Sequence, residues 1–262
     1  MTTKDKTSND TAGREAVGGK APAAESEARL PVQQSSDTEV SEFVARMRSL
    51  APSGAAGRGR LIFAMDATMS RRPTWDMALN LQADMFQAVR EVGGLDVQLI
   101  YFRGIDECRA SKWVSNPDAL ARLMTEVECH GGYTQIRKVL SHARREAEAK
   151  KVNTLVYVGD AMEEDIDDLC SRAGELALLG VPMFLFQEGS NSHAARAFGE
   201  LARLTKGAHC RFNAGSARQL RELLTAVAVY AAGGRLALEA FGREERGAGA
   251  RLLLGQLRPA ER

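Results

Sequence analysis

The sequence is short of the features that most often announce a function. Its charge is almost balanced, 35 Lys and Arg against 34 Asp and Glu, so no global field favours nucleic acid. No apolar run reads as long enough to cross a bilayer, and the N-terminus lacks the apolar core of a signal peptide, which predicts a cytoplasmic protein. The four cysteines stand apart at 108, 129, 170 and 210 without a CxxC pair, as expected of reduced thiols. Cys129-His130 and His209-Cys210 are adjacent pairs whose side chains would diverge on a strand, so neither chelates zinc readily. Neither a P-loop nor a nucleophile elbow is present, the four histidines fall in unrelated contexts, and nothing repeats.

What the sequence does have is alternation. Residues 1–38 are polar and small and predict a disordered segment. In residues 39–57, "EVSEFVARMRSL" spaces Val40, Phe43, Val44, Met47 and Leu50 as a short amphipathic helix, and a Gly-rich linker follows. From residue 58 to 232 strands alternate with helices. "RLIFAMD" is an apolar strand of the kind buried on both faces, and Pro73 opens a helix running to about Glu91. "LDVQLIYFRG" is a second strand. "CRASKWVS" is a third, reached by a connection too short for a helical crossover and therefore antiparallel.

Helices over "NPDALARLMTEVEC" and, capped by Thr134, over "QIRKVLSHARREAEAK" lead to the strand "NTLVYVGD". Helix 163–179, strand "VPMFLFQEG", helix 193–205, strand "AHCRF" and helix 216–232 complete the pattern. The fold class is α/β, three-layered, with a mostly parallel central sheet and one short antiparallel edge strand. Residues 233–262 read as a basic C-terminal tail, with a short helix at 251–257.

The chemistry gathers where two strands end. "RLIFAMDATMSRRPTWD", residues 60–76, delivers Asp66 at a strand terminus with hydroxyls at Thr68 and Ser70. "HGGYT" offers Thr134 on a glycine-flexed loop, and "VGD" ends the fourth strand at Asp160. Ligands of open α/β sheets sit at the carboxyl ends of strands where the strand order reverses. Five oxygen-bearing side chains at one edge suit Mg²⁺ or Mn²⁺ rather than zinc.

This set, "DATMS" with "GGYT" and "VGD", resembles the metal-ion-dependent adhesion site (MIDAS) of the von Willebrand factor A (VWA) family. The resemblance spans about residues 58–232. It implies a three-layer Rossmann-like fold and a metal set of Asp66, Thr68, Ser70, Thr134 and Asp160. In that pattern the hydroxyls touch the ion and the aspartates hold its waters. Thr68 stands where the family usually has serine, keeping the hydroxyl and adding a methyl. An ion bound mainly by neutral donors seeks a carboxylate from outside, which makes it a bridge to a Glu or Asp of a partner protein.

Arg71 and Arg72 would add positive field beside that opening. Intracellular bacterial proteins of this family often work with AAA+ ATPases or chaperone-like machines, and such a partner is the expectation here. No catalytic role is expected. The alternatives are a metal-free VWA scaffold and a haloacid-dehalogenase-like phosphatase, the latter with Asp66 as nucleophile, Thr134, Lys138 or Lys151 on phosphate, and Asp160 and Asp165 in the acidic motif. The phosphatase reading lacks the expected glycine, since Met69 stands there, and lacks a strand into Thr134.

Overall fold

The computed structural model describes residues 58–89, 94–213 and 216–257. The predicted N-terminal disorder, the helix at 39–50 and its linker lie outside these residues, as does the expected helix end at Glu91.

Six strands form one sheet in the order β3-β2-β1-β4-β5-β6. They are β1 Gly59–Asp66, β2 Leu95–Arg103, β3 Glu107–Ala110, β4 Thr154–Gly159, β5 Met183–Glu188 and β6 Ala208–Phe212. All neighbours run parallel except β2 and β3. β3 is shorter than expected. The remainder of "CRASKWVS" touches β2 through the Ser111 N–H on the Leu99 carbonyl (2.8 Å) and the antiparallel bridge of Val114 to Val97.

The helices are α1 Arg72–Val89, α2 Pro117–Thr125, α3 Ile136–Ala149, α4 Ile166–Leu178, α5 Ser192–Leu204, α6 Ala217–Gly242 and α7 Ala248–Gln256. Successive residues of a strand face opposite sides, so β1 feeds two cores at once. Leu61, Phe63 and Met65 pack with Trp75 of α1 and Leu223 and Val227 of α6. Ile62 and Ala64 pack with Val139 of α3, Leu169 of α4 and Phe198 of α5. The molecule is therefore helices, sheet, helices, a Rossmann-like arrangement in three layers.

The C-terminal boundary differs from the sequence reading. A break after residue 232 falls inside α6, which runs on to Gly242 through a kink at Gly234 (φ 69°, ψ −162°). α7 then folds back and buries Ala250 and Leu253, so this stretch belongs to the core layer rather than to a tail. Charge misled the reading: Arg243, Arg246 and Arg251 are exposed, while Leu238, Leu253 and Leu257 are buried.

α6 also corrects the expectation that no segment could cross a membrane. By length and composition this 26-residue helix is long and apolar enough, with half of the relevant window buried. Its apolar residues cover the sheet together with α1, which accounts for their number.

Candidate metal centre

β1 lies between β2 and β4, where the chain leaves the sheet on opposite sides, so the loops after β1 and β4 open on one crevice. Asp66 is the last residue of β1 and is almost fully buried, at 1% exposure. The turn beyond it is fixed from both sides. Ala67 donates its N–H to the Phe102 carbonyl (2.9 Å) and accepts from the His130 N–H (3.0 Å). Thr68 donates its backbone N–H to Asp66 Oδ1 at 2.7 Å, closing a local Asx turn.

From there the polar atoms continue as a chain. Thr68 Oγ1 lies 3.4 Å from Ser70 Oγ, and Ser70 Oγ donates to Asp160 Oδ2 at 3.2 Å. Four of the five expected residues are thus joined, from the end of β1 to the end of β4.

Burial pushes the Asp66 carboxyl up to about 6, and the Asp160 carboxylate adds to the rise. The Thr68 amide and hydroxyl and the Arg71 guanidinium pull the other way. A carboxyl held up by desolvation beside a second carboxylate is an environment that a cation relieves. The donors are two carboxylates and hydroxyls, with no thiol or imidazole, a hard-oxygen set that fits Mg²⁺ or Mn²⁺.

Thr134 is placed differently. It is buried, and no hydrogen bond joins it to the other four. Its N–H donates to Glu163 Oε2 (2.8 Å), and its hydroxyl accepts from the Glu163 N–H (3.1 Å). Nor does it cap α3. That position is Gln135, without a side-chain cap, and the free amides of Ile136 and Arg137 donate to Glu164 at 2.6 and 2.9 Å. The cap therefore comes from the loop after β4.

Sequence reading assigned Glu163 and Glu164 to the first turn of a helix. In fact Asp165 caps α4 and only Asp167 and Asp168 lie in that first turn. Two acids stranded ahead of a cap were the available signal. The glycines of "HGGYT" have a different use as well. Neither has positive φ, but a Cβ on Gly132 would stand 2.1 Å from the Gly104 carbonyl oxygen. Close approach, rather than flexibility, requires glycine there.

Arg71 is not on the rim. It is 1% exposed and paired with Glu188 at the end of β5, which also accepts from the Thr74 hydroxyl. Its Nε and Nη2 have no hydrogen-bond partner among the described residues. A guanidinium so enclosed cannot meet a partner protein, and its expected role there is withdrawn. Arg72 is exposed, 3.8 Å from Asp76 one helical turn on.

The phosphatase arrangement is not assembled. Lys138 holds Asp106 and Gln135, and Lys151 precedes β4, at the opposite end of the sheet from Asp66. Asp165 spends its carboxylate on the Asp168 amide at 2.9 Å.

No family model and no curated protein matches the sequence. Solved structures do match in fold. A von Willebrand factor type A protein from Catenulispora acidiphila aligns with a TM-score of 0.53 at 13% identity, over 66% of this chain and 43% of that one. The pilus adhesin SpaC from Lactobacillus rhamnosus GG gives 0.53 at 9%, over 68% and 30%. An aerotolerance-related membrane protein from Bacteroides fragilis gives 0.50 at 15%, over 65% and 98%. The chain thus spans less than half of the first two and nearly all of the third. At such identities the likeness is one of fold, and that fold is the Rossmann-like fold of the VWA domain.

Proposed function

We propose that this chain is a non-catalytic protein-binding module whose contact with its partner runs through a divalent cation. The supporting observation is the buried Asp66 carboxyl, linked through Thr68 and Ser70 to Asp160 across the mouth of the β1–β4 pair. VWA domains commonly mediate protein interactions, and the fold is theirs.

In this reading Thr68, Ser70 and Thr134 supply hydroxyls to Mg²⁺ or Mn²⁺, while Asp66 and Asp160 hold the ion's waters and orient the hydroxyls. The ion supplies positive charge at an open coordination position. An exposed Glu or Asp of the partner takes that position, and exposed Arg72 adds to the attraction. The cytoplasm, and an AAA+ ATPase or chaperone-like machine as partner, complete the proposal.

Titrating Mg²⁺ and Mn²⁺ calorimetrically into the full chain tests it. Asp66→Ala and Asp160→Ala should each weaken binding by about ten- to hundredfold, the usual loss when groups orienting a metal's ligands are removed. Thr134→Val should weaken it at least as much. Metal affinity unchanged by both alanines would refute the reading.

A further inference from the structure

β2, β3, α3 and α4 line an open cavity of about 360 Å³ to which none of the five residues of the candidate metal centre contributes. Its lining is dominated by cations: Arg109 from β3, Arg137, Lys138 and Arg145 from α3, and Arg172 from α4. Three of these have acids. Arg109 meets Glu107 at 3.2 Å, Lys138 meets Asp106, and Arg172 meets Asp168 at 3.1 Å. Arg137 and Arg145 have no ion pair among the described residues, whereas Arg144 between them in sequence has Glu148 and Glu175, each at 3.5 Å.

Two further acids nearby are occupied. Glu164 accepts from the backbone N–H groups of Ile136 and Arg137 at 2.6 and 2.9 Å. Glu146 accepts from Arg60 at 3.1 Å and Trp113 at 2.8 Å, on the far side of His142.

The placement is directional. Residues four apart share a helix face, so Arg137, Ser141 and Arg145 form one stripe along α3, its ends about 12 Å apart along the axis. Between the arginines, the Ser141 hydroxyl donates to the Arg137 carbonyl (2.8 Å) and accepts from Arg172 Nη1 (2.9 Å). Like charges about 12 Å apart are largely screened in physiological salt, where the Debye length is about 8 Å, but repel at low salt, where it approaches about 30 Å. A chain of net charge +1 has segregated them here. A multiply charged tetrahedral oxyanion offsets that repulsion and accepts from guanidinium donors arriving from several directions. The only ring in the lining is the imidazole of His142, whose Nε2 is engaged with Gln98 Oε1 at 3.0 Å. Exposed Ala110 gives the cavity an apolar contact for the carbon body of an ester.

We propose that this cavity binds the phosphate group of a phosphomonoester. The group can arrive on a small molecule or on a phosphorylated serine of another protein. Titrations of the full chain at low salt, in chelator, followed by NMR shifts of the arginine Nε–H groups, separate the two. The probes are inorganic phosphate, O-phosphoserine, and a phosphoserine peptide with its unphosphorylated twin.

At least one phosphorylated probe should bind, and the unphosphorylated peptide should not. Tighter binding of the peptide than of O-phosphoserine assigns the protein-borne source, and the reverse order the small molecule. Arg137→Gln with Arg145→Gln, both at exposed positions, should lower affinity at least tenfold while leaving the circular dichroism spectrum intact. Asp66→Ala should leave it unchanged, which separates this site from the metal centre. Absence of binding by every phosphorylated probe, equal binding of the two peptides, or undiminished binding in the double variant would overturn the proposal.

Discussion

Glu244, in the turn between α6 and α7, shows how one buried oxygen sets a dependence on pH. Its Oε1 is buried without a hydrogen-bond partner among the described residues, and burial pushes its carboxyl from 4.5 up to about 7. The folded chain therefore holds this proton where the unfolded chain has released it. The resulting stability is complete below about 4.5 and is lost as pH rises through about 7. Glu244→Gln should melt higher than the wild type at pH 8.5 and within error of it at pH 4, measured by thermal denaturation. Arg71 and Glu188 show a different case, an ion pair between a buried guanidinium and a half-buried carboxylate. Replacing Glu188 alone would leave a buried charge uncompensated, so the pair is a constraint on the floor beside Asp66 rather than a contact surface.

At the scale of elements, the sheet's outer edge is the instructive case. β6 has no neighbour beyond it, and its outward backbone groups belong to His209, Arg211 and Asn213. Two glutamine amides occupy that side. Gln256 of α7 accepts from the His209 N–H (2.7 Å) and donates to its carbonyl (2.6 Å). Gln219 of α6 donates to the Arg211 carbonyl (3.0 Å) and accepts from the Asn213 N–H (3.3 Å). Side chains thus stand in for a seventh strand, and the edge is closed to pairing with another chain. Gln219→Ala with Gln256→Ala should lose about 1–3 kcal/mol of stability by chemical denaturation. It should also self-associate more than the wild type at equal concentration in sedimentation velocity. The strands and most helices were legible in the sequence because their apolar periods are local. Asp66, Thr68, Ser70 and Asp160 were legible as a set because strand ends are. The glutamines, the Glu164 cap on α3 and the Arg71–Glu188 pair were not. Each joins residues that only the finished topology brings together, and nothing near Gln256 or Glu164 in sequence marks its target. The arginines of residues 243–262 drew attention from Ala250 and Leu253, whose helical spacing pointed inward.

For the molecule as a whole, the two cores of the described residues lie on opposite faces of the sheet, and β1 is a central strand that feeds both. Its two partners are unequal in chain distance. β2 follows after a single helix, while β4 is reached only after β2, β3, α2 and α3. The hydrogen bond from Ser70 to Asp160 spans ninety residues of chain. Closing so long a loop is entropically unfavourable until the sheet has formed, which places the assembly of this crevice late in folding. A ligand that needs both loops has nothing to bind in the transition state. Mg²⁺ should accordingly slow unfolding and leave the refolding rate unchanged in stopped-flow measurements. If the chain binds the cation as proposed, the position of Asp160 makes that cation a lock on the folded state, lengthening the life of the native state without hastening its arrival.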